Sequence, residues 1–246
     1  MDALKCLADF HTVSGKIVEY LSKISTVDID FARIVRAWDQ GGLLEFEFNY
    51  GDLTRHWLNV VAHQAATGVL AHTLSAMIEE EDQLVKEIVT ATLVHDAFKR
   101  REQVANQRAK REGRDMEDSG HEVESANESF LLELGFNETV VNLARNTGDL
   151  GLRTILEGKS TLAQEIVFYA DCCVSNYDIV GYKKRFDDLL PHYQPGGRYD
   201  HANEVFMKRY GKTHREVYDS VVLPIERKFA QLMRCGESER IYTLAL

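Results

Sequence analysis

The residues of this chain best suited to chemistry are a histidine and an aspartate side by side, His95-Asp96, closing the apolar run QLVKEIVTATLVHDAF. An imidazole and a carboxylate are costly to bury unless something compensates them. A helix cap or an ion pair does so most commonly. A divalent ion (Mn, Fe, Co, Ni, Zn or Mg) does so as well, because histidine nitrogen and aspartate oxygen both suit such metals. Two further residues of this kind stand in apolar surroundings. His63, 32 positions upstream, shares a helical face with Thr67, Gly68 and Ala71, which leave room for close helix packing. Asp171 interrupts the apolar stretch IVFYADCCVSNY. Taken singly, each reads equally well as a satisfied core group. Taken together, on three apolar segments, they point to one shared ligand.

Should such a cluster hold a metal and meet a phosphate ester, which repels a nucleophile, the ion would acidify its water toward neutrality and polarise a phosphoryl oxygen. Asp96 can both ligate the metal and accept a hydrogen bond from that water. Lys99, one turn later, can face the same way and neutralise phosphate. Arg145 is a second candidate for phosphate contact, though either cation serves equally as a surface charge. Glu102 is weaker still, since the neighbouring basic stretch offers it surface ion pairs. His56 and His72 compete with His63. His72 lies nine residues on, about 180° round a continuous helix, where the following face carries Glu79 and Glu80, and His56 lacks small residues after it.

These residues need helices to position them. Spacing predicts a long helix from an N-cap at Asp52 to about Glu80, a second over 83–98, and others over 121–134, 137–146, 161–180, 201–210 and 213–234. Residues 28–48 are less regular, and Leu44, Phe46 and Phe48 alternate with Glu45 and Glu47 as in a short strand. The polar segment 99–118 holds seven Lys or Arg residues. It reads as a solvated helix face or mobile loop, or more sharply as a lid over an anionic substrate. HYQPGGRYD (192–200) reads as a linker. Only three prolines in 246 residues leave long stretches free of helix breakers, and the expected fold is all-α.

Composition narrows the function classes. Acidic residues outnumber basic ones 39 to 29, for a net charge of −10, which repels polyanions and argues against a dedicated nucleic-acid binder. A local basic pocket for a small phosphorylated ligand is compatible with it. No uncharged apolar run reaches the roughly 18 residues of a membrane span, and the N-terminus lacks a secretion-signal pattern. The four cysteines form no CxxC pair, as expected of reduced thiols in the cytoplasm. Phosphate-binding GxxxxGK[ST], dinucleotide-binding GxGxxG and nucleophile-elbow GxSxG motifs are absent.

At this point the chain resembles the HD-domain metal-dependent phosphohydrolase superfamily, whose pattern is H…HD…D on separate helices of a bundle. VVAHQAATGVLA is similar to its first-histidine helix, TATLVHDAFK to its HD helix, and EIVFYADCCVSNYDIVGYKKRFDDL to its last-ligand helix. GHEVESANESFLLELGFNETVVNLARNTG is similar to the segment between them. The likeness covers about residues 53–190 and implies His63, His95, Asp96 and Asp171 as ligands of one metal. It implies a small phosphorylated substrate, a nucleotide before others, and His121 as a residue touching phosphate or acting as an acid. Members with two metals add histidines in the middle segment. His121 matches one such position, but Asn146 stands at the other, which favours a single ion over the di-iron oxygenase branch. A nucleotide-binding sensor without turnover is the non-catalytic alternative. Residues 1–52 then form a wrapping segment, and 191–246 a helical extension that packs outside the core or offers a face to a second copy.

Overall fold

The computed structural model describes residues 3–49, 52–78, 81–112, 126–194, 202–235 and 238–246. The fold is all-α, and among the described residues the strands form only two two-stranded ribbons. At its centre lies α3 (Leu58–Ile78), apolar nearly all round and buried without interruption from Val61 to Ala71. A helix of that composition belongs inside a protein. Leu70 and Leu74 are fully buried, each contributing about 2 kcal/mol of apolar burial. Packed on α3 are α1 (Ala3–Lys23), α4 (Asp82–Val94) and α9 (Leu162–Cys172). Gly68 sits at the α3–α4 crossing, where an added Cβ would lie 3.0 Å from Leu93.

The start of α3 corrects the expected N-cap at Asp52. Asp52–His56 is a strand, β2, antiparallel to β1 (Phe46–Asn49), and the helix begins at Leu58. The alternating pattern that marks β1 needs a partner, and β2 supplies it.

The segment before β1 has a definite task. Helix α2 (Phe31–Gln40) is N-capped by Asp30 and ends at Gly41. Its Trp38 indole donates to the Leu93 carbonyl at 2.7 Å, satisfying one of the open carbonyls at the end of α4. An added Cβ at Gly41 would stand 2.0 Å from the Ala97 carbonyl oxygen. The end of α2 therefore bears directly on the turn that carries His95 and Asp96, and only glycine permits the approach.

Beyond that turn, α5 (Lys99–Glu112) is helical, as in the helix-face reading of the basic stretch, and the mobile-loop reading is corrected over these residues. Arg100 pairs with Glu45 and donates to the Gly42 carbonyl, and Arg101 donates to the Gln40 carbonyl at 2.7 Å while lying over the Phe98 ring. Both arginines thus tie α5 back to the α2–β1 connection. The rest of the stretch, from residue 113, lies outside the described residues.

The second half of the chain supplies the other wall. Residues 126–133 are helical (α6), followed by α7 (Glu138–Arg145), α8 (Gly148–Leu156) and α9. A Thr161–Gln164 capping box starts α9. It stops at Cys172, short of the expected 180, because Val174–Ser175 (β3) and Asp178–Ile179 (β4) pair across a turn in which Asn176 has φ 53°. Asp171 therefore stands in the last turn of its helix, not in the middle. Helices α10 (Tyr182–Leu189), α11 (Ala202–Tyr210) and α12 (His214–Leu232) complete the fold, α12 running through Pro224. Residues 195–200 of the expected linker lie outside the described residues. One buried apolar cluster includes residues from Tyr20 to Ala245.

Candidate metal centre

His95 follows the last turn of α4 at 6% exposure. Its Nδ1 lies 2.7 Å from the Thr92 carbonyl oxygen, which accepts but cannot donate. Nδ1 therefore carries the proton, and Nε2 is turned the other way. There it meets Asp171 Oδ1 at 3.7 Å and Asp96 Oδ2 at 3.8 Å, too far for a hydrogen bond, and this buried nitrogen has no hydrogen-bond partner among the described residues. Burial opposes a charge on His95, yet the Asp96 and Asp171 carboxylates outweigh it and raise its pKa above the ordinary histidine value.

His63 repeats the arrangement from α3. Its Nδ1 faces the carbonyl of Asn176, at the tip of the β3–β4 ribbon, at 3.0 Å, and its Nε2 faces Asp171 Oδ1 at 2.9 Å. Both ring nitrogens thus face oxygen atoms, whereas a neutral ring donates from only one of them. The two imidazoles lie 5.5 Å apart between centroids. Burial works against ionised Asp171, but Arg185, His63 and His95 hold its pKa well below the usual carboxylate range. Burial likewise opposes charge on Asp96, which Lys99, His95 and His63 overcome.

The donor set fits a metal. An ion about 2.1 Å from two donors places them about 3 Å apart at a right angle and about 4.2 Å apart in line. The 2.9, 3.7 and 3.8 Å spacings fall in that range. His63, His95 and Asp96 each offer a donor atom, all within 4.8 Å of one another, so the group could hold a metal ion after small side-chain adjustments. The carbonyls of Thr92 and Asn176 fix both rings with Nε2 inward, as backbone partners commonly do for metal-binding histidines. Asp171 enters the cluster through both rings.

The other sequence candidates separate. Lys99 reaches the cluster, 3.7 Å from Asp96 Oδ1, and also pairs with Glu102 at 3.1 Å. Arg145 pairs with Glu128 at 2.7 Å, while its Nε is buried and without a hydrogen-bond partner among the described residues. His56 pairs with Asp9 of α1 at 3.1 Å, and neither it nor His72 joins the metal-type group among the described residues. His121 lies outside the described residues. Asn146, the position of the missing histidine, is buried with its amide donating to the Asn142 carbonyl. Sequence reasoning missed Arg185 on α10, whose Nη2 is 3.7 Å from Asp171 Oδ1. Its only sequence signal is an arginine in the helical KKRF segment after the last ligand. The two carbonyls that orient the imidazoles leave no sequence signal at all.

Two surface hollows lie elsewhere, one of about 270 Å³ between α2, α4 and the start of α7, the other of about 340 Å³ between α8 and α12. Among the described residues no helix is long and apolar enough to cross a membrane. No protein-family model, curated protein or solved structure matches this chain.

Proposed function

We propose that the chain is a metal-dependent phosphohydrolase of the HD-domain type, with His63, His95, Asp96 and Asp171 holding one divalent ion. The observation that carries the reading is the buried Nε2 of His95, unpartnered and aimed at two carboxylates while Nδ1 is pinned to a carbonyl. Leaving a buried polar atom unmatched costs about 1–3 kcal/mol, a penalty a ligand would remove. When bound, the ion would supply an acidified water and a Lewis acid for a phosphoryl oxygen. Asp96 is the more open of the two aspartates, with 27% of its side-chain surface exposed against 14% for Asp171. Its oxygens face His95 and Lys99 respectively, so it can accept a hydrogen bond from the attacking water while Lys99 offsets the phosphate charge. The substrate class is a small phosphorylated metabolite, and nucleotides are the first to try.

The test is elemental analysis of protein purified without chelators, followed by phosphate release from a nucleotide panel with Mn, Co, Ni or Mg added. About one metal per chain together with release is the expected result. Two irons per chain without release would replace this reading with an oxygenase, and neither metal nor turnover would end the catalytic reading.

A further inference from the structure

We propose, on the basis of the phosphohydrolase reading above, that Arg185 is the anchor for a terminal phosphoryl group, making the substrate a phosphate monoester or chain-end anhydride and not a diester. Arg185 projects from α10 to the oxygen on which the cluster converges. Asp171 Oδ1 lies 2.9 Å from His63, 3.7 Å from His95 and 3.7 Å from Arg185 Nη2. At 3.7 Å the guanidinium is ion-paired but not hydrogen-bonded, and its side chain makes no hydrogen bond to any described residue. None of its nitrogens is both buried and unpartnered, so its open donors face solvent. With 20% of its side-chain surface open, Arg185 is reachable by a ligand.

Charge gives the sign of that ligand. A divalent ion would cancel Asp96 and Asp171, Glu102 offsets Lys99, and Arg185 is left as the uncompensated positive group of the site. Its planar fork matches two oxygens of one phosphoryl group, which the compact ammonium of Lys99 does not. Engaging a fork and the metal together takes three unesterified oxygens. A terminal phosphoryl group has three, and a diester has two.

The experiment titrates Mn2+ into the full chain by calorimetry, then titrates inorganic phosphate and, separately, dimethyl phosphate into the Mn-loaded protein, for the natural sequence, Arg185→Gln and Arg185→Lys. The natural chain is expected to bind phosphate at least about 10-fold more tightly than dimethyl phosphate. Arg185→Gln is expected to weaken phosphate by about 10- to 50-fold, the scale of a charged hydrogen bond, while changing dimethyl phosphate by less than about 3-fold. Mn2+ affinity should hold or rise, since a competing cation has left Asp171. Arg185→Lys should recover part of the loss, and it carries the comparison if the glutamine variant melts early. Unchanged phosphate affinity, an equal loss for both probes, or a loss of Mn2+ affinity would overturn the assignment and leave Arg185 as a partner of Asp171 only. Failure of the natural chain to bind Mn2+ would overturn the metal reading instead. Phosphate titrated into the metal-free protein then judges Arg185 separately, an Arg185-dependent affinity supporting the anchor and an independent one overturning it.

Discussion

His95 and His214 are both 6% exposed, yet their surroundings push them in opposite directions. His95 ends one helix beside two carboxylates, and its pKa is raised despite burial. His214 begins α12 inside an aromatic box, stacked on Tyr193 at 4.4 Å, with Tyr218 at 4.5 Å and Phe206 edge-on at 4.6 Å. Burial there lowers its pKa to about 4. The helix dipole acts in the same sense at each place, favouring a cation at the end of α4 and disfavouring one at the start of α12. The pair shows that burial alone does not separate a histidine of the candidate site from one of the core. What distinguishes them is what Nε2 faces, which is two anionic carboxylates for His95 and the neutral Tyr193 hydroxyl at 3.4 Å for His214.

The comparison breaks most sharply at His95. If it is a ligand, His95→Ala removes one of four donors. Structural metal sites bind with about 10–16 kcal/mol, so each of four donors is worth about 2.5–4 kcal/mol and metal affinity should fall by about 60- to 700-fold. Phosphate release, if present, should go with it. Metal content by elemental analysis after gel filtration checks this, and full occupancy in the variant would remove His95 from the ligand set.

His214 supplies the opposite test. Its folded pKa of about 4 lies below the ordinary 6.5, so the unfolded chain takes up the proton first. Its contribution is fully present above pH 6.5 and is lost as pH falls toward 4, to a total of about 3 kcal/mol. His214→Phe keeps a ring in the box and removes the titration. The stability gap between variant and natural chain, from urea unfolding at pH 7.5 and pH 4, should therefore shift toward the variant by up to that amount. Metal content should not change. A gap independent of pH would mean that His214 titrates as if exposed.

The His95 side of this contrast was legible in the chain and the His214 side was not, and the parts that were not legible share a cause. The apolar helices and the H…HD…D spacing are side-chain patterns, and the structure brings His63, His95, Asp96 and Asp171 to one place. The early break of α9 was hidden because Cys172, Cys173 and Val174 continue an apolar run, while the turn depends on one backbone angle at Asn176. Strand β2 was hidden because Asp52 is as good a helix cap as a turn residue, and only pairing with β1 decides between them. The pairing of Arg145 with Glu128 was hidden because the partner comes from a different helix. The close fit of Gly41 on Ala97 was invisible for the same reason, since long-range contact leaves no local period.

The finest test of the comparison concerns how each ring is held. Aromatic packing on several sides holds His214, whereas His63 is held at Nε2 by Asp171 and at Nδ1 by one carbonyl in a two-strand ribbon. That carbonyl belongs to Asn176, whose φ of 53° suits asparagine or glycine and not a β-branched residue. Asn176→Gly keeps both the angle and the carbonyl and should leave stability and metal affinity within about 0.5 kcal/mol of the natural chain. Asn176→Val must either strain or move the turn, at a cost of about 1–2 kcal/mol. By shifting the acceptor of His63 Nδ1, it should also weaken metal binding about 10-fold, the lower end for a partner behind a ligand. Calorimetric metal titration of both variants decides the matter. If valine binds metal as the natural chain does, packing and Asp171 orient His63 without that carbonyl, and the distinction drawn between the two kinds of buried histidine fails at that residue.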